Sequence, residues 1–554
     1  MRRRLVSVLT VAAFAAYLLW FGCPHYDLGD DVILMDSLMG AVGGVQESFN
    51  YHVLFPLFGA LHLLSRCFPT VAWFSVFQIA LLLLSAYVMV QSGMRLACKV
   101  RLPQWLGWMA GTLCVWIFVV PFANFISYTQ TAAITAMVAV WQLACVEWRD
   151  QSAARLAVQS LLLLLLAFGL RWESVLPALC YWTGILLCAV LMEHVPFKRA
   201  AALWGVCVLV LGATMGIHQA AAMTEKEYVR FQKARIQVVD YGLLNAQNAE
   251  MLEEAGWTKQ DAHLVQNWCL LDESVSAEAF ETVIENAKRD MNGQDAVRRI
   301  VQLFVKNRNL YWIAALLVLL LGLAFLAGLW LRLPWLWAAA SGCGLGTAVL
   351  LILLSLRGRL PMRAGAAVLW PACAVGVYLL LRGCAALWRA SLKQKAACLL
   401  VCLLCMVILF PNVRQAFHNS YQPYPMAKES QYTQLAQYAR ENPDQLLIAD
   451  GAFARDPRLF PARDGESPSN LLLAWGSWNN HSQGYRALFE QFGYQHDVFG
   501  LECFLDDAVR LVTPAGREPD EWFVNALKEH AGSDVTWTAQ EQGSFRILQF
   551  AKGD

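Results

Sequence analysis

The sequence predicts an α-helical polytopic membrane protein with about eleven transmembrane helices, a helical extracytoplasmic loop and a small C-terminal α/β or α+β domain. Of the 554 residues, 58% are hydrophobic and 15% are charged, whereas a soluble domain has about 25% charged residues. Eleven apolar runs approach the length of about 20 residues that a helix needs to span a bilayer. Every predicted inner loop between them carries Lys or Arg, as the positive-inside rule requires.

The predicted spans place the N-terminus in the cytoplasm and the C-terminus outside. Met1-Arg2-Arg3-Arg4 precedes the first run, Leu5–Gly22, which has no clear small-x-small cleavage site and therefore predicts a span rather than a signal peptide. The spans cover residues 5–22, 70–92, 105–121, 126–147, 155–170, 174–192, 200–221, 309–331, 335–355, 365–383 and 396–411.

One moderately apolar segment, Tyr51–Phe68, is not predicted to cross the membrane. His52, Pro56 and His62 interrupt it. A crossing here would invert every later loop and put the basic loops outside. We therefore expect a helix that lies at the interface or dips into the membrane, with a full crossing as the alternative.

Two stretches are long and polar enough to form structure outside the membrane. Residues 222–308 are charged and predict helices, whereas residues 412–554 mix predicted helices and strands, with strands at Gln445–Ala449 and Phe545–Phe550 and a helix at Asp520–His530. We therefore divide the chain into four parts. Residues 1–221 form a transmembrane module with a candidate catalytic outer loop at 23–69, and residues 222–308 form a helical extracytoplasmic insert. Residues 309–411 form a second set of transmembrane helices, and residues 412–554 form a soluble extracytoplasmic domain.

Several function classes are disfavoured by composition and by missing motifs. A net charge of +1 argues against nucleic acid as a partner. The sequence contains no P-loop, no Rossmann fingerprint, no HExxH and no GxSxG motif. ATP-driven transport encoded within this chain is therefore disfavoured.

The strongest candidate for chemistry is the acidic stretch after the first span, where Asp27, Asp30 and Asp31 fall within five residues. Carboxylates close to lipid are costly unless they line a wet cavity. Asp30 or Asp31 could act as a general base, or both could hold Mg²⁺ or Mn²⁺ beside phosphate oxygens. The alternative is a solvated loop or a helix N-cap before Val32–Met39.

Basic residues in two further loops could bind a phosphate. Arg171 and Glu173 form either an ion pair at a tight hairpin or a pair that lines the cavity, with Arg171 on a phosphate. Arg357, Arg359 and Arg363 crowd a loop that is predicted to be outside, against the positive-inside rule. Such a loop favours a specific phosphate site, with generic contact to anionic lipid headgroups as the alternative.

Other polar residues are assigned structural roles by default. His52 and His62 are ten residues apart, so a shared metal is disfavoured and packed histidines are expected. Asn124, Tyr128 and Gln130 could hydrogen-bond a sugar or simply satisfy a turn. The segments Asp240–Gly242 and Trp268–Asp272 look structural.

The layout resembles the GT-C superfamily of polytopic glycosyltransferases that use lipid-phosphate-linked sugars, and more closely uncharacterised multispan envelope proteins of Gram-positive bacteria. The matching motifs are Gly29-Asp30-Asp31-Val32…Met35 with Gly43-Gly44, Phe231…Ala234-Arg235…Asp240-Tyr241, Gly256-Trp257…Asp261, Trp268…Asp272 and the run from Arg359 to Arg363. The resemblance implies that Asp30 or Asp31 is the catalytic carboxylate and that an outer-loop arginine holds the donor phosphate. Ala474–Asn479 lacks the WWDYG signature, which disfavours an oligosaccharyltransferase.

The resulting hypothesis is an inverting glycosyltransferase of the cell membrane. It would take a lipid-linked sugar donor embedded among membrane lipids and transfer the sugar to a cell-envelope glycan or glycoprotein acceptor on the outer face. A flippase or transporter for a lipid-linked saccharide is one alternative, although such a protein needs polar residues along the midplane of several spans. A non-catalytic envelope scaffold is the other.

Overall fold

The computed structural model describes residues 2–27, 29–244, 248–287, 293–357, 360–388, 424–453, 455–460, 468–494 and 500–553, with isolated positions between 396 and 418. In chain order the helices are α1 (Arg2–Phe21), α2 (Gly29–Met39), α3 (Phe55–Cys67), α4 (Trp73–Lys99), α5 (Gln104–Phe118), α6 (Val120–Asn124), α7 (Tyr128–Ala144), α8 (Ala153–Leu170), α9 (Trp172–Glu193), α10 (Phe197–Ala222), α11 (Lys226–Arg235), α12 (Ala249–Glu254), α13 (Lys259–Gln266), α14 (Ala277–Asn286), α15 (Gly293–Lys306), α16 (Arg308–Trp330), α17 (Pro334–Leu356), α18 (Met362–Trp388), α19 (Met426–Glu441), α20 (Gln483–Gln491) and α21 (Glu521–Ala531). The strands are β1 (His25–Tyr26), β2 (Phe125–Ile126), β3 (Leu446–Ala449), β4 (Leu471–Leu472), β5 (Val509–Pro514), β6 (Val535–Gln542) and β7 (Phe545–Lys552).

Most of the described chain is helical, and many of its helices are long and apolar, which confirms the predicted fold class. Within the described ranges, eight helices are long and apolar enough to cross a membrane, namely α1, α4, α8, α9, α10, α16, α17 and α18. Each coincides with a predicted span. The chain is therefore a multi-pass helical membrane protein.

The remaining predicted spans differ from expectation in length. The segments predicted at 105–121 and 126–147 form α5 and α7, which have only 15 and 17 residues. The short helix α6 follows closely after α5 and has Pro121 as its second residue. The two extended residues of strand β2 then separate α6 from α7. The predicted span at 396–411 lies almost entirely outside the described residues.

The segment at 51–68 forms a short helix. Helix α3 has 13 residues and is therefore about 20 Å long, shorter than the hydrocarbon core of about 30 Å. Two hydrogen bonds fix the N-terminal end of α3, one from Leu54 N–H to the Gly169 carbonyl and one from Phe55 N–H to His218 Nδ1. This length agrees with the expectation that the segment does not cross.

Helix α7 is the centre of the bundle. All of its residues are buried, and it packs against α4, α8, α9 and α18. A helix that is apolar on every side is stable only when other helices surround it. The start of α7 is therefore fixed in space by four neighbours, and this start lies beside the candidate site.

Helices α4 and α5 cross closely through glycines. A Cβ on Gly107 would overlap the carbonyl oxygen of Gly93 and would lie 2.7 Å from Cβ of Ala97. Small residues at a crossing let two helix backbones approach each other in a membrane. This contact sets the distance between the two helices.

The first connection of the chain is tied to three distant segments. Strand β1 pairs in parallel with β2, through His25 with Phe125 and Tyr26 with Ile126. The Tyr26 hydroxyl lies 2.6 Å from Ser75 Oγ, which itself donates to the Leu459 carbonyl at 2.6 Å. Helix α2, which follows β1, is therefore anchored to both the bundle and the C-terminal region.

The C-terminal region contains a mixed five-stranded sheet of order β4-β3-β5-β7-β6. Strands β3, β4 and β5 are parallel, whereas β7 is antiparallel to both β5 and β6. The two strands predicted at 445–449 and 545–550 correspond to β3 and β7, and the predicted helix at 520–530 corresponds to α21. The small C-terminal α/β unit is thus confirmed.

The insert and the C-terminal unit pack on the same end of the bundle. Gln232 in α11 donates to the Trp478 carbonyl at 2.9 Å, and Asn480 donates to the Leu270 carbonyl at 2.6 Å. Buried Glu47 accepts hydrogen bonds from Ser482 and Gly484. We call the assembly formed by the described residues within 23–54, 222–306 and 424–553 the cap. The domain boundaries at 221/222, 308/309 and 411/412 stay a prediction.

A histidine joins the two parts of the cap. His530 Nε2 lies 2.9 Å from Asp261 Oδ1, and its Nδ1 lies 3.6 Å from Asp272 Oδ2. Both carboxylates are buried. The hydrogen bond that His530 donates to Asp261 raises the pKa of His530, although partial burial opposes this, and the charge of Asp272 adds to the rise. The protonated imidazolium therefore stabilises the contact.

We predict that this contact makes the cap less stable at higher pH. Because the pKa of His530 is raised on folding, its stabilisation is complete below the unfolded pKa of about 6.5 and is lost as pH rises through the folded pKa. Thermal unfolding of the detergent-solubilised protein, measured from pH 6 upward, should show this loss in the wild type. The unfolding temperature of His530→Gln should not show this pH-dependent loss. An equal loss in His530→Gln would contradict the role of His530 in the pH dependence.

We also predict that the crossing of α4 and α5 tolerates no added methyl group. Gly107→Ala should destabilise the protein by about 1–3 kcal/mol, because overpacking forces the two backbones apart. Gly212→Ala in α10 is the matched control, since a Cβ there would meet nothing within 4 Å. The measurement is the unfolding temperature of both variants, and equal temperatures would refute the prediction.

Candidate active site

The predicted acidic pair lies in the first turn of α2, at the junction of the cap and the bundle. Acidic residues are favoured there because the N-terminus of a helix carries partial positive charge. Arg455 donates to the Gly29 carbonyl at 3.2 Å, and a Cβ on Gly29 would lie 2.9 Å from the Arg455 Cδ. Glycine at this position therefore lets Arg455 pack directly against the start of the helix.

Asp31 is fully buried and connects three helices. Its Oδ1 accepts hydrogen bonds from the Tyr128 N–H at 2.7 Å and from Gln78 Nε2 at 3.1 Å. Thr131 Oγ1 donates to the Gln78 Oε1 at 3.3 Å and thereby orients this amide. The other carboxylate oxygen, Oδ2, is buried and has no partner among the described residues. Burial therefore raises the pKa of Asp31 well above its usual value, against the two hydrogen bonds.

Asp30 has a different environment. Its side chain is 24% exposed, and its Oδ2 accepts a hydrogen bond from Arg363 Nη1 at 2.9 Å. Arg363 is the second residue of α18, so this ion pair joins the start of α2 to the start of a candidate membrane span. Of the pair, Asp30 is thus the carboxylate that a substrate can reach.

Arg171 adds a second guanidinium to the cluster. It lies between α8 and α9, and its Nη1 donates to the Tyr128 hydroxyl at 2.8 Å and to His52 Nδ1 at 3.0 Å. Its Nε lies 3.0 Å from Glu173 Oε2. Arg171 thus forms the local ion pair with Glu173 and also contacts His52 and Tyr128. Its predicted role on a phosphate stays a prediction.

Four helices begin around this cluster. Asp31 belongs to the first turn of α2, Tyr128 is the first residue of α7, Arg171 precedes α9 and Arg363 is the second residue of α18. Backbone N–H groups at helix N-termini favour an anion. Together with the two guanidiniums, they create a region in which an anionic group would be stabilised.

The structure does not bring every predicted residue to the cluster. Arg357 is exposed at the end of α17, and no hydrogen bond or ion pair joins it to the other described site residues. Arg359 lies outside the described residues. Glu173 touches Arg171 but is 43% exposed. A metal at Asp30 and Asp31 stays a prediction, and the partnerless Oδ2 of Asp31 is the oxygen that Mg²⁺ or Mn²⁺ would engage.

Sequence reasoning assigned structural roles to several residues that lie at the site. The ring of His52 packs 4.1 Å from the ring of Trp478, and Arg235 is fully buried in the insert beside Trp268. Tyr128, which was expected mainly to satisfy a turn, contacts both Asp31 and Arg171. In the sequence, Arg235 stood out only within the motif Phe231…Ala234-Arg235…Asp240-Tyr241 of the family resemblance, which does not reveal what the arginine faces.

Comparison with solved structures finds a structural likeness, whereas comparison with family models and with curated proteins does not. No family model matches the chain, and no curated protein matches it. Among solved structures, the chain is similar to the crystal structure of ArnT from Cupriavidus metallidurans bound to undecaprenyl phosphate, with 12% identity, 99% of each chain covered and a TM-score of 0.39. A match at these values assigns no substrate and no residue role to this chain.

We predict that Asp31 supports the site through its hydrogen bonds rather than its charge. Asp31→Asn keeps an acceptor for Tyr128 N–H and removes a buried charge, so stability at neutral pH should be equal to or above that of the wild type. Asp31→Ala should lose about 1–3 kcal/mol, because Tyr128 N–H and Gln78 are left without an acceptor. Unfolding temperatures of the three proteins provide the measurement.

The pH dependence gives a second test of the same assignment. Because the pKa of Asp31 is raised on folding, the wild type should gain stability relative to Asp31→Asn as pH falls through that raised pKa. If the difference in stability between the wild type and Asp31→Asn does not change with pH, Asp31 is not a buried, ionisable carboxyl group.

Proposed function

We propose that this protein is a membrane glycosyltransferase that moves a sugar from a polyprenyl-phosphate donor to a hydroxyl group of a cell-envelope acceptor on the outer face, with inversion at the anomeric carbon. The observation that carries the proposal is the meeting of Asp30 with Arg363 at the point where four helices begin. A carboxylate that can accept a proton thus lies beside groups that stabilise a departing phosphate.

Asp30 is the general base in this proposal. Its carboxylate is accessible, and a base must come within hydrogen-bond reach of the proton that it removes. Asp31 is a positioning residue, because its Oδ1 is engaged by Tyr128 and Gln78. Its bonds fix the first turn of α2 and hence the direction of Asp30.

Arg363 and Arg171 hold the phosphate of the donor. Charge develops on the phosphate oxygen as its bond to the sugar breaks, and preorganised guanidiniums and helix N-termini stabilise this charge. Arg363 opens the membrane helix α18, so a phosphate bound there would lie at the membrane surface. The polyprenyl chain could then extend between helices among the membrane lipids.

The reaction is a single displacement. The acceptor oxygen attacks the anomeric carbon while the bond from that carbon to the phosphate oxygen breaks. Asp30 takes the hydroxyl proton, and the polyprenyl phosphate leaves as an anion. Attack from the face opposite the leaving group inverts the anomeric configuration. Bound Mg²⁺ or Mn²⁺ at Asp30 and Asp31 would add charge neutralisation at the phosphate.

Transport of a lipid-linked saccharide is supported less well. A transporter needs polar groups near the midplane of the bilayer, often on broken helices. The groups of this cluster instead lie at helix ends under the cap. A non-catalytic scaffold would not need an accessible carboxylate beside two arginines.

We predict that Asp30→Asn lowers the turnover number by about 10²–10⁴-fold, the usual contribution of a general base, with little change in the apparent affinity for the donor. The assay presents a panel of polyprenyl-phosphate sugars to the protein in liposomes and measures release of polyprenyl phosphate. Arg363→Gln should instead weaken donor binding and lower turnover together.

Arg357→Gln is the matched control, because Arg357 is an exposed arginine outside the cluster. It should keep activity close to that of the wild type. Full activity in Asp30→Asn, with an unfolding temperature equal to that of the wild type, would remove Asp30 as the base. Equal losses in Arg357→Gln and Arg363→Gln would show that only general positive charge matters.

A further inference from the structure

The last helix of the insert carries more apolar surface than the bundle covers. In α15, three valines follow one another at intervals of four residues, so they share one face of the helix. Val297, Val301 and Val305 are 58%, 54% and 78% exposed. Single exposed apolar residues are ordinary on a protein surface, whereas a stripe of them along one helix indicates an interaction surface. We call these three residues the valine face.

A second face of α15 packs on the membrane helices. Its apolar residues are buried or packed against the core of the bundle, namely Ala296, Ile300, Leu303 and Phe304. Arg299 Nη1 donates to the Ser355 carbonyl at 2.9 Å, and Ser355 Oγ donates to the Ala296 carbonyl at 2.7 Å. Since Ser355 lies in the last turn of α17, α15 is fixed to the end of a candidate membrane span.

The third face of α15 is polar. Its side chains are all exposed, namely Asp295, Arg298, Gln302 and Lys306. With 3.6 residues per turn, the valine face falls between this polar face and the face that packs on the bundle. The apolar arc of α15 therefore extends beyond its protein contacts and ends at a polar arc. This arrangement is typical of a helix that lies in a membrane interface.

The position of α15 in the fold places the valine face close to the bilayer. Only Asn307 separates α15 from α16, which is a candidate membrane span. The last turns of α17, against which α15 packs, expose two further apolar residues, Ile352 and Leu353. The valine face thus lies where two spans reach the surface of the membrane.

We propose that α15 binds the membrane surface, with the valine face inserted among the lipid acyl chains and with Arg298 and Lys306 among the phosphate headgroups. The partner is the phospholipid bilayer itself. Basic side chains beside an apolar face cover apolar surface with their stems while their charged ends reach the phosphates. The proposal goes beyond the proposed function, because it requires neither a sugar donor nor a transfer reaction.

Membrane binding by α15 also supports the start of α18. A Cβ on Gly365 would lie 2.7 Å from Leu303 Cδ2, so the packed face of α15 lies directly against the first turn of α18. Arg363 belongs to the same turn. The bilayer therefore holds a helix that packs beside the arginine of the cluster.

The test uses the full-length protein in liposomes of phosphatidylcholine and phosphatidylglycerol. An environment-sensitive fluorescent amino acid replaces Val301 in one variant and Gln302 in its matched control, so the two probes differ only in the face of α15 that carries them. The probe is excited outside the absorption of the 22 native tryptophans. Bromine atoms on the acyl chains quench it from the lipid, and iodide quenches it from the water.

The two probes should respond in opposite order. The probe at Val301 should lose about half of its emission to brominated acyl chains, because an interfacial helix buries its apolar face at the acyl boundary, and it should resist iodide. The probe at Gln302 should be quenched more by iodide than by the brominated chains. If a probe at Val301 lowers the unfolding temperature, the same comparison is made at Val297 and Arg298.

Three outcomes would overturn the proposal. Equal responses of the two probes to both quenchers would show that α15 has no side that faces lipid. Quenching of the probe at Val301 by iodide alone would place the valine face in water. Protection of that probe from both quenchers would show that protein covers the valine face, either a second copy of the chain or the predicted span at 396–411.

Discussion

The hydrogen bonds to the buried carboxylate of Asp31 determine the geometry of the site. A buried carboxylate is costly unless donors are fixed around it, and here the donors come from α4 and from the first residue of α7. Since α7 is enclosed by four helices, its start cannot move independently of the bundle. The first turn of α2 is therefore held rigidly, and Asp30 projects from that turn toward Arg363.

The same arrangement places charge where a membrane protein can maintain it. Ionisable groups within the hydrocarbon region are expensive, and the cluster instead lies at helix ends covered by the cap. There, the N–H groups at helix N-termini and the guanidiniums of Arg171 and Arg363 all contribute positive charge to the cluster. In the proposed function, the anionic headgroup of the donor would meet this cluster while its apolar tail remained with the helices.

The cap completes the site rather than standing apart from it. Trp478 from the C-terminal unit packs on His52 of the first connection, and Gln232 of the insert donates to the same residue of the C-terminal unit. Arg455 supports the start of α2 from a third direction. Three segments that are distant in the chain thus enclose one region.

Much of the fold could be predicted from the sequence alone. Apolar runs and the periodicity of strands and helices are local properties, so eight membrane helices, the short helix at 55–67 and the strands β3 and β7 were found near their observed bounds. The helices α5 and α7 were predicted to be longer than they are, because hydropathy does not register the turn at Pro121 and the extended pairing of β2 with β1. The acidic pair was identified because carboxylates beside a membrane span are rare.

The sequence by itself therefore determined the class of protein, most of its membrane helices and the position of the acidic residues. Only the tertiary structure decided that Arg363 meets Asp30, since Arg363 is 333 positions away in the chain and this contact depends on how α2 and α18 pack. It also decided that Asp31 is buried while Asp30 is accessible, and that His52, Arg235 and Trp478 share one region. These are relations between distant segments, and they arise from packing rather than from any pattern of neighbouring residues.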